Sequence, residues 1–342
     1  MVSFHHKLAD GLGRRGIAVS HDLRDFPYQA VLVIGGTRDL SGLLQARKRG
    51  IPVVQRLDGM NWLHRLSGVR RAGWRLYLRA ESGNLLLALI RSRLASRVVY
   101  QSAFARRWWE RKRGLAPVGD TVIHNGVDLD FFCPRGEERP PEDRWRVLMV
   151  EGSLMGGYEQ GLSVAMQLAG RLGELLAEQT RSSVPAIVEL MVVGRVPESL
   201  RNRWDEELRR SRQTPHVVLN WSGQVPHEQI PAIDRAAHLF YSADINPACP
   251  NAVIEALACG LPVAAFDTGA LPELVTDGSG RLAAYGSDPW KLGTPDVETL
   301  AHAAAEILDD LDSFRSAARR RAEAAFGLDK MVDAYLNALL GS

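Results

Sequence analysis

Apolar positions along the chain fall into two alternating patterns, short β-branched runs and longer stretches in which apolar residues return every third or fourth position. That alternation predicts parallel strands joined by crossover helices, an α/β fold. In the first part, strands are predicted at Ala18 to Asp22, Ala30 to Ile34, Pro52 to Arg56, Arg97 to Gln101 and Thr121 to His124. A polar, proline-bearing stretch, Pro134 to Arg144, then interrupts the pattern and reads as a linker. The alternation restarts with Val147 to Glu151, Ile187 to Gly194, His216 to Asn220, His238 to Tyr241 and Pro262 to Phe266, with a short strand near Arg281. Two Rossmann-like, doubly wound domains follow. Their expected limits are 1–133 and 146–325, with a linker over 134–145 and a closing helix over 326–342 that caps the second domain or crosses back to the first. Phe4 to Leu12 already has the pattern of a helix, where a doubly wound domain would open on a buried strand. The first domain is therefore expected to lack its opening strand and the loop after it.

The 342 residues are 46% hydrophobic and 24% charged, enough for two separate cores and too apolar for a disordered chain. No apolar stretch approaches the roughly 20 residues that span a bilayer. The N-terminus, MVSFHHKLADGLGRRG, puts charges where a secretory signal needs an apolar segment, so a cytoplasmic location is expected. Cys133, Cys249 and Cys259 form no CxxC pair and are an odd number, which favours reduced thiols over a disulfide framework or a structural zinc. The adjacent His5 and His6 lack a convergent carboxylate, and no metal site is expected.

The formal charge of +2 is a cancellation. The first 135 residues hold 23 Lys and Arg against 10 Asp and Glu, a net of +13; the remainder holds 19 against 30, a net of −11. Between Arg65 and Arg113, 13 basic residues meet only Glu81 and Glu110, with Trp74, Tyr77, Trp108 and Trp109 interleaved. A solvated face, an anionic membrane surface and nucleic acid are the three readings. The aromatic residues favour lipid headgroups or an acidic acceptor, hence a peripheral place on the inner face of a membrane. No nucleic-acid module accompanies the charge, and no nucleic-acid partner is expected.

The stretch richest in chemistry is DINPACPNAVIEALACGLPV, Asp244 to Val263. Pro250 suits a first helical turn, while Gly260 and Pro262 stop the helix, predicting one over about 250–259. Val253, Ala256 and Leu257 would form its buried strip, with Asn251 and Glu255 sharing another face. The first amides of such a helix can bind an anion. Phosphate there and a ribose diol on Glu255 would fit one nucleotide; a Glu255 that merely pairs with a basic neighbour fits the same geometry.

CPNAVIEALACGLPVAAFDTGALPELVTDGSGRL resembles the donor-site signature of the retaining GT-B glycosyltransferases of the glycogen-synthase-like and sucrose-synthase-like clan. VVYQSAFARRWW and VIHNGVDLDFFCP resemble the same clan, and the likeness covers most of the chain. It implies two domains facing across a cleft and transfer of a sugar from a nucleoside-diphosphate sugar, with retention at the anomeric carbon. It implies no cofactor. Glu255 would hold the ribose, with Pro250, Asn251, Ala252 and Val253 beside the diphosphate. Three departures stand out. The first glutamate of the family's pair falls on Pro247, with Asp244 and Asn246 nearby but out of register. The Arg and Lys that usually follow the first strand of the donor domain are absent from EGSLMGGYEQG, where Gly156 and Gly157 offer backbone amides and Arg195 a cation from the next strand. The third is the missing opening strand.

Ligands of open parallel sheets bind beyond the carboxyl ends of strands. Those ends carry Gly35, Gly36 and Arg38, then Arg56 and Asp58. Arg56 is a candidate for an acceptor phosphate and Asp58 for orienting the acceptor hydroxyl, its role as a catalytic residue being the open candidate; a structural Arg–Asp turn explains the pair equally well. The acceptor class, whether carbohydrate, lipid-linked or small molecule, is left open. Two rivals remain: a degenerate protein that binds a nucleotide sugar without turnover, and a sugar-nucleotide epimerase on the same architecture.

Overall fold

The computed structural model describes residues 4–66, 73–154, 159–181, 184–210 and 216–341. They form two compact units. The first combines Val2–Gly126 with Leu328–Ser342, and the second is Val127–Gly327.

The first unit runs α1 (Phe4–Arg14), β1 (Val31–Ile34), α2 (Leu40–Lys48), β2 (Val53–Leu57), α3 (Trp74–Leu89), β3 (Arg97–Tyr100), α4 (Ala103–Arg113) and β4 (Gly119–Val122). Its four strands lie in the order β1-β2-β3-β4, all parallel. Every residue of β2 is buried, as a central parallel strand requires when helices cover both faces. The terminal helix Leu328–Leu340 closes this unit, packing Met331, Val332 and Tyr335 against Leu8 and Leu12 of α1. Gly11 permits that approach, since a Cβ there would come 2.5 Å from Val332 Cγ2. The strand expected at Ala18 to Asp22 does not form. Ala18, Val19 and Ser20 are exposed, and Ser20 and Asp22 turn their side chains onto nearby backbone and onto Asp25 and Arg24, which stabilises a turn over a ladder.

The second unit runs β5 (Trp145–Ser153), α5 (Glu159–Thr180), β6 (Val188–Arg195), α6 (Glu198–Arg210), β7 (Val217–Gly223), α7 (Ile230–Arg235), β8 (Leu239–Tyr241), α8 (Asn251–Ala258), β9 (Val263–Phe266), α9 (Leu271–Leu274), β10 (Gly280–Ala283), α10 (Val297–Asp309) and α11 (Leu311–Ala325). The parallel sheet has the order β10-β9-β8-β5-β6-β7. Leu162, Leu168 and Leu172 of α5 and Leu300, Ala304 and Ile307 of α10 share one core with Val147, Leu190 and Leu239 of the strands. The segment read as a linker, Pro134 to Arg144, is held within this unit. Arg235 pairs with Glu138 at 2.7 Å and donates to Cys133 O, and Arg319 donates to the Leu129 and Phe132 carbonyls just before it. Arginine donors for its carbonyls and its acid are what a composition-based reading of the stretch leaves out.

Candidate donor site and acceptor-side residues

In the second unit the strand order reverses between β5 and β8, which pair at Val147 with Leu239 and Leu148 with Phe240. Such a reversal opens a crevice beyond the carboxyl ends of the two strands. Three segments meet there: the end of β5, the loop after β8, and the start of α8.

The end of β5 is shaped by Gly194. Its φ is +139°, and a Cβ on it would lie 1.8 Å from Glu151 O, so only glycine lets β6 pass this close. The register slips between Val150 and Ser153, bringing Ser153 opposite Arg195, and Leu154 N donates to Arg195 O at 3.0 Å. Arg195 is thereby placed, exposed, at the strand end. Gly156 and Gly157 lie outside the described residues. Glu151 is a carboxyl that no motif in the sequence marks. Burial, then the neighbouring Asp244, pushes it up to about 9, and burial raises Asp244 as well. Desolvation and the mutual repulsion of two ionised carboxyls both favour the protonated form here.

After β8 the chain turns through Asn246, at φ +55°, whose N–H donates to Thr268 Oγ1. Pro247 fills the motif position, and its carbonyl accepts from Ala270 N at 2.8 Å. A Cβ on Gly269 would sit 2.4 Å from Pro247 Cδ, so Gly269 and Pro247 fit as a pair. The proline is thus built into the loop.

Pro250, expected inside the first turn of α8, is instead the N-cap, with φ −70° and ψ 119°. The extended ψ ends the preceding loop, and helical dihedrals begin one residue later. The first i→i−4 bond is Ile254 N to Pro250 O, so the amides of Asn251, Ala252 and Val253 precede it at the positive end of the helix. Val253, Ala256 and Leu257 are fully buried, as the apolar strip requires. Glu255 is also buried, 3% exposed, with Oε1 3.5 Å from His227 Nε2. His227, on a short 3-10 turn, stacks on Phe131 and meets Phe132 edge-on. The basic neighbour allowed for Glu255 is therefore this histidine. Asp234 of α7 lies 1% exposed, with Oδ2 lacking a hydrogen bond among the described residues. Burial and then the neighbouring Glu255 push its carboxyl well above the usual carboxylate range. His227 and Asp234 lie 28 and 21 residues from Glu255 in the chain, a separation at which no spacing rule operates.

In the first unit Gly35, at φ +68°, donates its N–H to Arg56 O, which fixes the ends of β1 and β2. Gly36 faces Leu87, Arg38 is exposed, and Asp58 is open to solvent at the end of β2. Desolvation by the surrounding protein raises the Asp58 carboxyl, against the pull of Arg56. Arg56 is 6% exposed, donates to Asn125 Oδ1 at 2.7 Å, lies over the Phe4 ring, and has a buried Nε without a hydrogen-bond partner among the described residues. It does not pair with Asp58 within salt-bridge distance, so the expected Arg–Asp turn is not what holds it.

The Arg65 to Arg113 segment divides. Arg91 is buried against Tyr100 Oη and Gly114 O, Arg97 donates to the terminal helix, Arg65 pairs with Glu81, and Arg106 with Glu110 and Asp120. Trp108 and Trp109 are core residues, Trp109 donating to Asp58 O. Arg91, Trp108 and Trp109 serve the fold, whereas Arg65 and Arg106 form ion pairs at the surface. Arg93, Arg107, Arg111, Lys112 and Arg113 stay exposed, and so does a stripe on α3: Trp74, Leu78, Leu85 and Leu89 are 68%, 55%, 56% and 43% exposed, with Arg75 and Arg79 beside them. The spacing of four, seven and four puts them on one helix face. No described helix is long and apolar enough to cross a membrane.

Residues 168–310, which contain β6 through α10 and so all of α8, match the family model described as "Glycosyl transferases group 1". Over 327 residues the chain is 27% identical to D-inositol 3-phosphate glycosyltransferase 1 of Catenulispora acidiphila, covering 86% of this chain and 68% of that one. Over 166 residues it is 25% identical to a phosphatidylinositol N-acetylglucosaminyltransferase subunit of Arabidopsis thaliana, covering 48% of this chain and only a third, 33%, of that relative. Among solved structures it resembles HepE of Anabaena in complex with UDP and glucose, with a TM-score of 0.61 at 18% identity over 90% of this chain and 77% of that one. The two parallel sheets and the crevice at β5 and β8 give this chain the GT-B fold, and the segment that builds the crevice is similar to the group 1 glycosyl transferases.

Proposed function

We propose that the chain transfers a sugar from a nucleoside-diphosphate sugar to a hydroxyl acceptor, with retention at the anomeric carbon. The observation that carries the reading is the start of α8, where helix amides and a buried Glu255 stand one turn apart at the sheet's switch point. The diphosphate lies on the amides of Asn251 to Val253, with Arg195 as the nearby cation and the ribose diol on Glu255. The bond from the anomeric carbon to the diphosphate oxygen breaks as the acceptor oxygen bonds that carbon. The acceptor proton leaves to the diphosphate or solvent. Stabilising charge on the leaving diphosphate is the main catalytic contribution. Uracil is the base to test first, because a neighbour of this fold was solved with UDP. Release of UDP from a UDP-sugar panel, dependent on added acceptor, tests the reading; binding with no release at any acceptor would favour the non-catalytic alternative that Pro247 motivates.

The acceptor is proposed to bind the first unit, with Arg56 Nε and Asp58 toward it. An inositol phosphate is the first class to try, since both named relatives carry an inositol compound in their names. The apolar stripe of α3 with Arg75 and Arg79 fits a bilayer surface. Each arginine near an anionic surface contributes about 1 kcal/mol, and the apolar side chains enter the acyl boundary. The chain should sediment with phosphatidylglycerol vesicles at low salt and far less with phosphatidylcholine, and Trp74→Ser with Leu78→Ser should abolish the difference. Equal sedimentation with both lipids, or an unaffected double variant, would remove the membrane reading.

A further inference from the structure

A cavity of about 430 Å³ opens in the second unit at the far end of α8, lined by Arg139, Arg235, Arg315, Arg319, Glu138 and Ser316 among others. Its volume is that of a small-molecule site. The lining sets four guanidinium groups against one carboxylate, and the use each group makes of its donors decides what the cavity can take.

Two of the four are committed to the fold. Arg319 donates to the carbonyls of Leu129, Phe132 and Ala258 and to Glu323, offsetting the negative end of α8. Arg235 spends Nε and Nη2 on Glu138 and Nη1 on Cys133 O, which also takes up the acid of the lining. Arg315 and Arg139 differ. Arg315 donates once, from Nη2 to Ala237 O, and its Nε and Nη1 have no partner among the described residues. Arg139 uses only Nη1, on the Gly136 and Glu138 carbonyls. Burial and the like charge of Arg139 lower the Arg315 pKa, and Asp312 opposes them without forming an ion pair. Two cations thus share a partly dry cavity with donors to spare, and the carboxylate that could neutralise them is already taken. An oxyanion removes that penalty, and guanidinium forks match phosphate oxygens in pairs.

We propose that this cavity is a second anion site of the chain, which binds the phosphate group of a small phosphorylated molecule between Arg139 and Arg315, with the exposed Ser316 hydroxyl as a further donor. The cavity is larger than one phosphate needs, so an organic body can follow the phosphate in. The site lies at the opposite end of α8 from the proposed diphosphate amides, about 12 Å away for eight residues of helix. It does not depend on the transferase reading.

The test is calorimetric titration of the full chain with inorganic phosphate and with glycerol 3-phosphate, at ionic strength held constant with chloride. Wild type is compared with Arg139→Gln, Arg315→Gln, the double variant and Arg195→Gln, which removes the cation of the donor site. Affinity should fall at least about tenfold in each cavity variant, as expected when charge-assisted bonds are lost, and stay unchanged in Arg195→Gln. Arg139 is not buried, so its variant keeps the fold if Arg315→Gln does not. The inference is overturned if neither anion binds wild type, or if the cavity variants bind as wild type does. Binding lost in Arg195→Gln and kept in the arginine variants of the cavity would assign the anion to the donor site beside the α8 amides and overturn it too.

Discussion

Replacing Glu255 with alanine is expected to weaken binding of UDP-sugar by roughly 1.5–3 kcal/mol, about ten- to a hundredfold or slightly more, through loss of a charged acceptor for two ribose hydroxyls. The carboxylate sits one turn inside α8, where a nucleotide whose diphosphate rests on the first amides would present its ribose. A general loss of affinity could also follow from a local collapse, because Glu255 is buried beside Asp234 and His227. The discriminating ligand is 2′,3′-dideoxy-UDP. Wild type should prefer UDP to it by the same factor that the variant loses, and Glu255→Ala should bind the two alike. If wild type shows no preference, the ribose assignment fails even where the variant is weak.

Gly194→Ala is expected to destabilise the second unit by about 3–5 kcal/mol, the sum of a φ that L side chains rarely adopt and a Cβ overlapping a carbonyl. The melting temperature of that unit should fall by about 10 °C. Glu151 O, 1.8 Å from the added atom, lies in β5 between the paired Val150 and Ser153, so moving it away shifts the strand between two rungs of the ladder to β6. The same substitution at Gly50, where φ is +75° and no atom lies within 4 Å, should cost only the strain, about 1–2 kcal/mol. Melting curves of the two variants separate crowding from backbone strain; equal losses would mean that β5 and β6 are not held as described.

How much of this was readable in the sequence depends on whether the cause is local. Strands such as Val188–Arg195 and Val263–Phe266 announced themselves because parallel strands buried on both faces are runs of β-branched and apolar residues. α8 was readable from the proline before it, the glycine after it and the strip between. The false strand at Ala18 to Asp22 has only two apolar residues, and its Ser20 and Asp22 stabilise a turn in place of a ladder. The docked stretch after Pro134 read as a linker because its holding groups, Arg235 and Arg319, come from helices about a hundred residues and more further on. Arg65 to Arg113 read as one basic surface because charge counts cannot see that Arg91 and Arg97 point into the protein. In the site, Glu255 was found through a motif. His227, Asp234 and Glu151 carry no local signal; folding alone brings them to the same crevice or beside Glu255.

Proton NMR of the full chain with a UDP-sugar, with and without an inositol phosphate acceptor, tests the central claim most directly. The account predicts a new anomeric signal that appears only with acceptor, matches the donor in its anomeric coupling, grows in step with UDP, and is lost or much slowed in Glu255→Ala. A donor that is bound but unchanged with every acceptor, or altered in the absence of any, would contradict it.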